Sequence, residues 1–427
     1  MHIALLNQYY WPHGSATSQL LTELGEGLAG RGHAVTAVAA QVDDAGRPVP
    51  AREHRAGVDI LRVPATRRGK RTLVDRASDY GTFYLGAIAR LATLRPAPDV
   101  VLALTTPPLI AAAGQLAGLA RGFPVVSVVQ DVYPDIAAEL GVIRRGGAVW
   151  HAWRAAARVS LGASRRVVVL SETMRDRILE FGVDASKVEI IPNWALRELD
   201  DQSSGDAMRL RYGFGDRFVV MYSGNMGAGH AFGGLLGAAE RLRHREDIVF
   251  AFVGDGMRRR EIARAVEERG LANVHLFDYA AREELADSLA AADLHVVTMR
   301  EGMQGLLMPS KLYGIFAAAR PTLFVGPPDS AVAQTVREAE AGAAVRDDDV
   351  DAVVLAILDR AEAADRGRLE GARGRRYLDE RLSRDRLIGR YETMLTGAAR
   401  PRAQHAPTAR PAAETGAPRR AQARGLR

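Results

Sequence analysis

The sequence has no cysteine in 427 residues. That excludes disulfides, thiolate metal sites and cysteine nucleophiles, and it fits a reducing compartment. Also missing are a GxGxxG fingerprint at a strand-to-helix turn (GEGLAG, 25–30, falls inside the helical stretch 17–30), a Walker GK[ST], an HExxH, a GxSxG elbow and a DxD cluster at a strand end. Dinucleotide binding, P-loop chemistry, zinc proteolysis and serine hydrolysis therefore have no motif behind them. The ten histidines are scattered, so no metal is expected. The acidic runs at Asp43-Asp44 and Asp347 to Asp349 read as solvated loop charge.

A long apolar run is present only in appearance. Residues 100–120, VVLALTTPPLIAAAGQLAGLA, carry no charge. TTPP interrupts them, and a strand ending at Leu104 with a buried helix from Pro107 explains them better than a membrane span. The N-terminus, MHIALLNQYYWP, lacks a basic region before its apolar residues, so it reads as a first buried strand and not a secretory signal.

Positive charge is in excess, +6 overall, but it is local. Residues 400–427 hold seven arginines and one glutamate, which leaves the body of the chain neutral. The folded part thus gives no reason to expect nucleic acid. The tail is rich in Pro, Ala and Arg and is expected to be disordered. A second basic stretch, 66–84, TRRGKRTLVDRASDYGTFY, is either a solvated loop or a contact with anionic lipid.

What remains is an alternation of strand and helix in two series. Strand-like runs fall at 2–6, 34–39, 58–63, 99–104, 124–129, 166–170 and 188–191. A polar break, 192–216, follows, and the alternation restarts at 218–223, 248–253, 273–277, 293–298 and 321–326. Continuous apolar runs are expected of strands covered on both faces. The pattern predicts an α/β protein with two doubly wound, Rossmann-like domains facing a cleft. The expected domains are 1–197 and 198–375, a returning helix at 376–399 and the tail from 400.

Ligands of such sheets bind beyond the carboxyl ends of the strands. After 2–6 comes Gly14 before a helix, and after 124–129 comes Asp131, with Asp135 placed to cap the next helix. After 218–223 comes GNMGAGH, residues 224–230, containing Gly224, Asn225 and His230. It is either an anion cradle of backbone amides or an ordinary Gly-rich turn. Gly254 ends the next strand, and Asp278-Tyr279 the one after it. After 293–298 comes EGMQGLLMPSKLYG, residues 301–314. Gly302 and Gly305 loosen this loop, Ser310 is placed as an N-cap, and Lys311 falls in a first turn where a cation is disfavoured unless it meets an anion.

Taken together, LNQYYWPHGSATSQLL, VVQDVYPDIAAELG, VVVLSETMRDRILEFG, YSGNMGAGH, FVGDG and MPSKLYGIFAAARPTLFVG resemble the retaining glycosyltransferases of GT-B fold, family 4, in particular the bacterial branch that builds O-antigen, capsule and other surface polysaccharides. The resemblance implies an acceptor-binding first domain, a second domain binding a nucleotide sugar, and a last helix that crosses back. It implies transfer of a hexosyl or N-acetylhexosaminyl group without metal or cofactor. The implied acceptor is a saccharide or a lipid-linked one, reached from the cytoplasm or the inner membrane face.

Catalytic roles then fall to Asp131, Lys311 and Glu301. Donor contacts fall to Gly14, Gly224, Asn225, His230, Gly254, Asp278, Tyr279, Gly302, Ser310 and Lys311. The sequence departs from the family in two respects that matter. The positions where Arg and Lys usually hold the diphosphate carry Asn225 and His230. The second glutamate of the family motif, which usually meets the ribose, falls on Gly314, and Glu301 stands upstream as a displaced first one. Lys311 is expected to supply the lost charge. An epimerase or hydrolase on this fold, and a non-catalytic nucleotide-sugar-binding scaffold, are the alternative readings.

Overall fold

The computed structural model describes residues 1–43, 46–64, 73–199 and 203–400. Both the tail from 401 and Arg67, Arg68, Lys70 and Arg71 of the basic stretch lie outside them.

The first series forms β1 (His2–Leu6), α1 (Ala16–Gly30), β2 (Ala34–Ala40), β3 (Arg52–Arg55), β4 (Val58–Val63), α2 (Leu73–Thr93), β5 (Val100–Ala103) and α3 (Ile110–Arg121). It continues with β6 (Val125–Val128), α4 (Asp135–Glu139), α5 (Ala148–Ala163), β7 (Arg166–Val169), α6 (Glu172–Leu179) and β8 (Val188–Ile190). The eight strands run in the order β3-β4-β2-β1-β5-β6-β7-β8. All pairs are parallel except β3 with β4. β1, β5 and β6 are buried along their whole length, as apolar runs between two helical layers must be.

The second series forms α7 (Asp206–Tyr212), β9 (Phe218–Ser223), α8 (Gly233–Arg241), β10 (Ile248–Val253), α9 (Arg259–Arg269), β11 (Val274–Phe277), α10 (Leu285–Ala290), β12 (Leu294–Thr298) and α11 (Lys311–Ala317). Then come β13 (Thr322–Val325), α12 (Ala331–Glu338), β14 (Gly342–Val345), α13 (Val350–Ala361), α14 (Ala364–Arg381) and α15 (Arg384–Ala398). Its parallel sheet has the order β11-β10-β9-β12-β13-β14. The chain therefore reverses direction of growth beside β1 in one sheet and beside β9 in the other. Those two switch points are where a doubly wound sheet opens a crevice.

Three expectations need correction. β3, REHR, was not foreseen because it is polar and only half covered, an edge strand without an apolar run. The single helix expected over 376–396 breaks at Leu382 and Ser383, and the backbone of Ser383 is extended. α14 stays with the second domain, Arg375 donating to the Ala317 carbonyl at 3.1 Å. α15 alone crosses back, burying Leu387, Ile388, Tyr391 and Leu395. Its docking on the first domain is fixed by His33–Glu392 at 2.7 Å and Arg31–Glu392 at 3.3 Å. Third, the acidic run 347–349 is not merely solvated. It follows β14, where the Asp347 carboxylate accepts from the Gly234 amide at 2.9 Å and Asp349 caps α13 through Ala352 at 2.9 Å.

The linker between the sheets is held by a buried carboxylate. Glu23 on α1 accepts from Trp194 Nε1 at 2.8 Å and from the Arg197 amide at 2.7 Å. Burial raises its pKa, and these two donors pull it back. Trp194 in turn meets the edge of Tyr391 on α15, centroids 6.3 Å apart.

Candidate active site

Lys311 begins α11, just beyond the loop that follows β12. Its stem runs back under β9. Gly224, the first residue after β9, has φ +123, and a Cβ there would come within 2.8 Å of Lys311 Cε. Only glycine accepts both the backbone angle and the contact. The Lys311 ammonium donates to the Asn225 carbonyl at 3.3 Å and stands 4.9 Å from the centroid of the Tyr222 ring. The Tyr222 hydroxyl donates to the same carbonyl at 2.7 Å.

His230 completes the cluster. Its Nδ1 is 2.7 Å from the Thr298 carbonyl, which can only accept, so the proton sits on Nδ1. Nε2 is then a lone-pair acceptor, 3.4 Å from Lys311 Nζ. Burial above all, then the Lys311 cation, pushes the imidazole pKa down to about 3. His230 is thus neutral throughout the working range of pH and lends Lys311 no competing charge. Among the described residues no carboxylate pairs with Lys311, and burial pushes its pKa down to about 7. A half-buried lysine met only by a carbonyl, an imidazole lone pair and a π face is short of an anion.

Lys311, Gly224, Ser310 and Tyr279 line an interdomain cavity of about 190 Å³. Ala16 and Leu20 of α1 and Trp194 and Leu199 of the linker form its other wall, and Gly314 lies in it beside Leu289. No Asp or Glu is among its lining residues.

The β12–α11 loop also reaches the first domain. Asp131 pairs with Leu307 in an antiparallel bridge, and the Val132 amide donates to the Leu306 carbonyl at 2.9 Å. Arg300 donates to the Glu139 carbonyl. At Gly305, φ +75, a Cβ would lie 2.6 Å from the Thr173 carbonyl oxygen, so the close approach of the two domains depends on glycine there. Leu307, the partner of Asp131, is four residues from Lys311 in the chain. Burial pushes the Asp131 carboxyl up to about 6. It faces a small apolar cavity with Leu104, Val129 and Ser160 among its walls.

The structure gathers the sequence-derived residues unevenly. Lys311, Gly224, Asn225 and His230 come together, and Ser310 and Tyr279 line the same cavity. Gly254 directly follows β10, beside Gly224. Ser310 occupies the N-cap position of α11, but its side chain makes no capping bond. Asp278 points away to Arg259 at 3.0 Å and is 89% exposed, so solvent and not the cavity surrounds it. Glu301 is exposed and accepts from Gln304 at 3.1 Å, with no contact to Lys311. Gly302 presses on Glu139 of the first domain. Gly14 is exposed, its carbonyl taking Gln19 Nε2 at 3.0 Å, two residues before the cavity wall at Ala16. Asp135 is no cap: buried, it accepts from Trp150 at 2.9 Å and Arg154 at 2.9 Å.

Tyr222, Thr298 and Arg258 were not anticipated. Tyr222 and Thr298 belong to apolar strand runs, where a single polar group reads as core. Arg258 donates to the His230 carbonyl and is held by Glu261 at 2.6 Å. Among the described residues, no three His, Asp or Glu side chains converge as a metal site.

The chain is similar to known proteins over most of its length. The family "Glycosyl transferase 4-like domain" matches residues 16–194, and "Glycosyl transferases group 1" matches residues 217–362. The chain is 27% identical over 333 residues to the putative colanic acid biosynthesis glycosyl transferase WcaI of Escherichia coli K12, covering 74% of this chain and 81% of that one. It is 30% identical over 247 residues to the probable glycosyltransferase WbjE of Pseudomonas aeruginosa, 57% of this chain and 61% of that one. Among solved structures, sucrose-phosphate synthase from Thermosynechococcus elongatus superposes with TM-score 0.74 at 18% identity, over 93% of this chain and 100% of that one. Anabaena HepE in complex with UDP-glucose does so with TM-score 0.70 at 13% identity, over 93% and 100%. The chain belongs to the GT-B glycosyltransferases, a glycosyl transferase 4-like domain followed by a group 1 domain, and it is a glycosyltransferase.

Proposed function

We propose that the chain moves a sugar from a nucleoside diphosphate sugar to a saccharide or lipid-linked acceptor in surface polysaccharide synthesis, with Lys311 taking the charge of the leaving diphosphate. The observation that carries this reading is Lys311 itself: a half-buried ammonium with no carboxylate partner among the described residues, beside Gly224 in a cavity between the two domains. The names of two similar proteins support the substrate classes, one assigned to colanic acid biosynthesis and one solved with UDP-glucose.

In the proposed reaction the bond from the anomeric carbon to the diphosphate oxygen breaks, and the acceptor hydroxyl oxygen bonds to that carbon. The hydroxyl proton passes to the departing phosphate oxygen. Charge grows on the diphosphate as the bond opens, so a fixed cation beside it stabilises the transition state more than the ground state. His230 keeps Lys311 aimed without neutralising it. Asn225, Gly254, Ser310 and Tyr279 border the donor, and Asp131 of the first domain orients the acceptor by accepting from one of its non-reacting hydroxyls. Glu301 and Asp278 have no assigned part. The cationic role belongs to a side chain, and no cofactor is assigned. A cytoplasmic setting agrees with the absence of cysteine.

A panel of nucleotide sugars tested for thermal stabilisation identifies the donor, since a ligand of the native state raises the melting temperature. The expected result is stabilisation by one class and transfer only when an acceptor is present. Release of free sugar at the same rate without acceptor would make the protein a hydrolase.

A further inference from the structure

The loop 299–310 joins β12 to α11, and Arg300 ties it to both domains. The Arg300 amide donates to the Gly229 carbonyl at 2.9 Å, one residue before His230. Its guanidinium reaches the other way. Nη2 donates to the Glu139 carbonyl at the end of α4 and stands 3.7 Å from the Glu139 carboxylate. Among the described residues, this is the one salt bridge that joins the two sheet-bearing domains directly. The others between domains run through the linker or through α15.

The loop then returns to the same piece of the first domain. The Val132 amide donates to the Leu306 carbonyl at 2.9 Å, and Asp131 bridges Leu307. Val132 and Glu139 belong to one hydrogen-bonded stretch. Within it the Ile136 amide donates to the Val132 carbonyl at 2.9 Å, and buried Asp135 is held by Trp150 and Arg154. The segment 300–307 is therefore fastened at both ends to the stretch that carries Asp131. Four residues after Leu307 comes Lys311. On its other side, the Gly229 carbonyl that takes the Arg300 amide adjoins His230, which faces Lys311 at 3.4 Å.

We propose that Arg300 is a positioning residue of the transfer reaction: it ties α4 to the Gly loop and so sets Asp131, on the acceptor side, in register with Lys311, on the donor side. Without the guanidinium, the loop's hydrogen bonds to this stretch are those of residues 306 and 307 alone. Contact of Arg300 with the donor diphosphate fits less well. Arg300 does not line the Lys311 cavity, and its Nη2 is engaged by the first domain. This role rests on the transferase reading, which gives Asp131 the acceptor and Lys311 the donor. A misplacement of about 1 Å between reacting groups can cost about a hundredfold in rate, while each partner still binds.

The test sets kcat for transfer against the affinities for UDP, GDP and dTDP measured by calorimetry. The diphosphate is held by the second domain. Arg300→Ala therefore lowers kcat at least about tenfold and leaves the tightest of the three Kd values within about threefold. Only one guanidinium nitrogen makes the contact, so the arginine fork is not used, and Arg300→Lys recovers most of the rate. A kcat of Arg300→Ala within about threefold of wild type overturns the proposal. So does an equal loss of kcat and of diphosphate affinity, which would put Arg300 on the donor. An Arg300→Lys protein as slow as Arg300→Ala overturns it too. If Arg300→Ala fails to fold, Arg300→Met, which keeps the stem, is read by the same two quantities. Lys311→Met tests the transferase reading by itself. Transfer at the wild-type rate in that variant removes the reading. An inactive Lys311→Met beside a fully active Arg300→Ala removes only the role of Arg300.

Discussion

Lys311 Nζ and His230 Nε2 face each other at 3.4 Å, and the proton of the imidazole is committed to the Thr298 carbonyl on the other side of the ring. The pair joins the Gly loop after β9 to the loop after β12 across the switch point of the second sheet. It sets a cation in a cavity whose lining has no negative side chain.

Lys311→Ala is expected to lower kcat/KM by about a thousandfold, the scale of losing one preorganised stabiliser of a developing anion. Lys311→Met, which keeps the apolar stem, is expected to be equally inactive and yet to melt higher at pH 7. A folded-state pKa lowered to about 7 means that the unfolded chain holds the extra proton between about 7 and the ordinary lysine value near 10.4. Wild-type stability therefore rises with pH through that window, and the advantage of Lys311→Met shrinks across it. Melting curves at pH 6 and pH 9 check this.

The same titration shapes donor binding. The diphosphate is held by the protonated lysine, so the donor KM is expected to rise above pH 7, approaching about tenfold per pH unit. His230, neutral across this range, adds no limb of its own. His230→Asn, which cannot reproduce the lone pair at that place, raises the donor KM without creating a new pH limb.

Asp131 is expected to act at its own pH. Its carboxyl, pushed up to about 6, is charged only above that value, so kcat/KM for the acceptor rises through pH 6. Asp131→Asn removes that limb. Because the folded-state pKa is raised, the wild-type carboxylate costs stability as pH climbs from about 4 to 6, and the Asn variant is expected to be the more stable one at pH 7. Glu301→Gln, at an exposed position, is expected to change kcat/KM by less than about threefold.

The domain frame gives a prediction unrelated to chemistry. Arg360, 1% exposed, makes two bonds of 2.7 Å to Glu370 and joins α13 to α14. Arg360→Ala leaves the buried carboxylate with only the longer contact from Arg366 at 3.3 Å and is expected to cost about 3 kcal/mol. Leu395→Ala on α15 empties a fully buried site and is expected to cost about 2–5 kcal/mol. Urea titrations measure both.

The architecture was legible because buried parallel strands announce themselves as apolar runs. β9, β10 and β12 needed no more than that. β3 and β14 carried no such run, since REHR is a polar edge and GAAV a run of small residues. Of the site, the glycines and Lys311 were legible from their positions at strand ends. Tyr222 and Thr298 were not, because a hydroxyl inside an apolar strand has no period of its own. Asp278 and Glu301 show the limit of the strand-end rule. It finds the right end of the sheet, but Arg259 and Gln304 decide where those carboxylates turn.

The central claim is that Lys311 is the cation for the donor diphosphate. Titration calorimetry of UDP, GDP and dTDP at pH 7.5, repeated in buffers of different ionisation enthalpy, tests it directly. The account predicts that the best of the three binds the wild type with net uptake of a proton, as the anion raises the lysine pKa from about 7. Lys311→Met should bind it at least about tenfold more weakly, one ion pair lost, and without proton uptake. Equal affinity and equal proton uptake in the two proteins would contradict it.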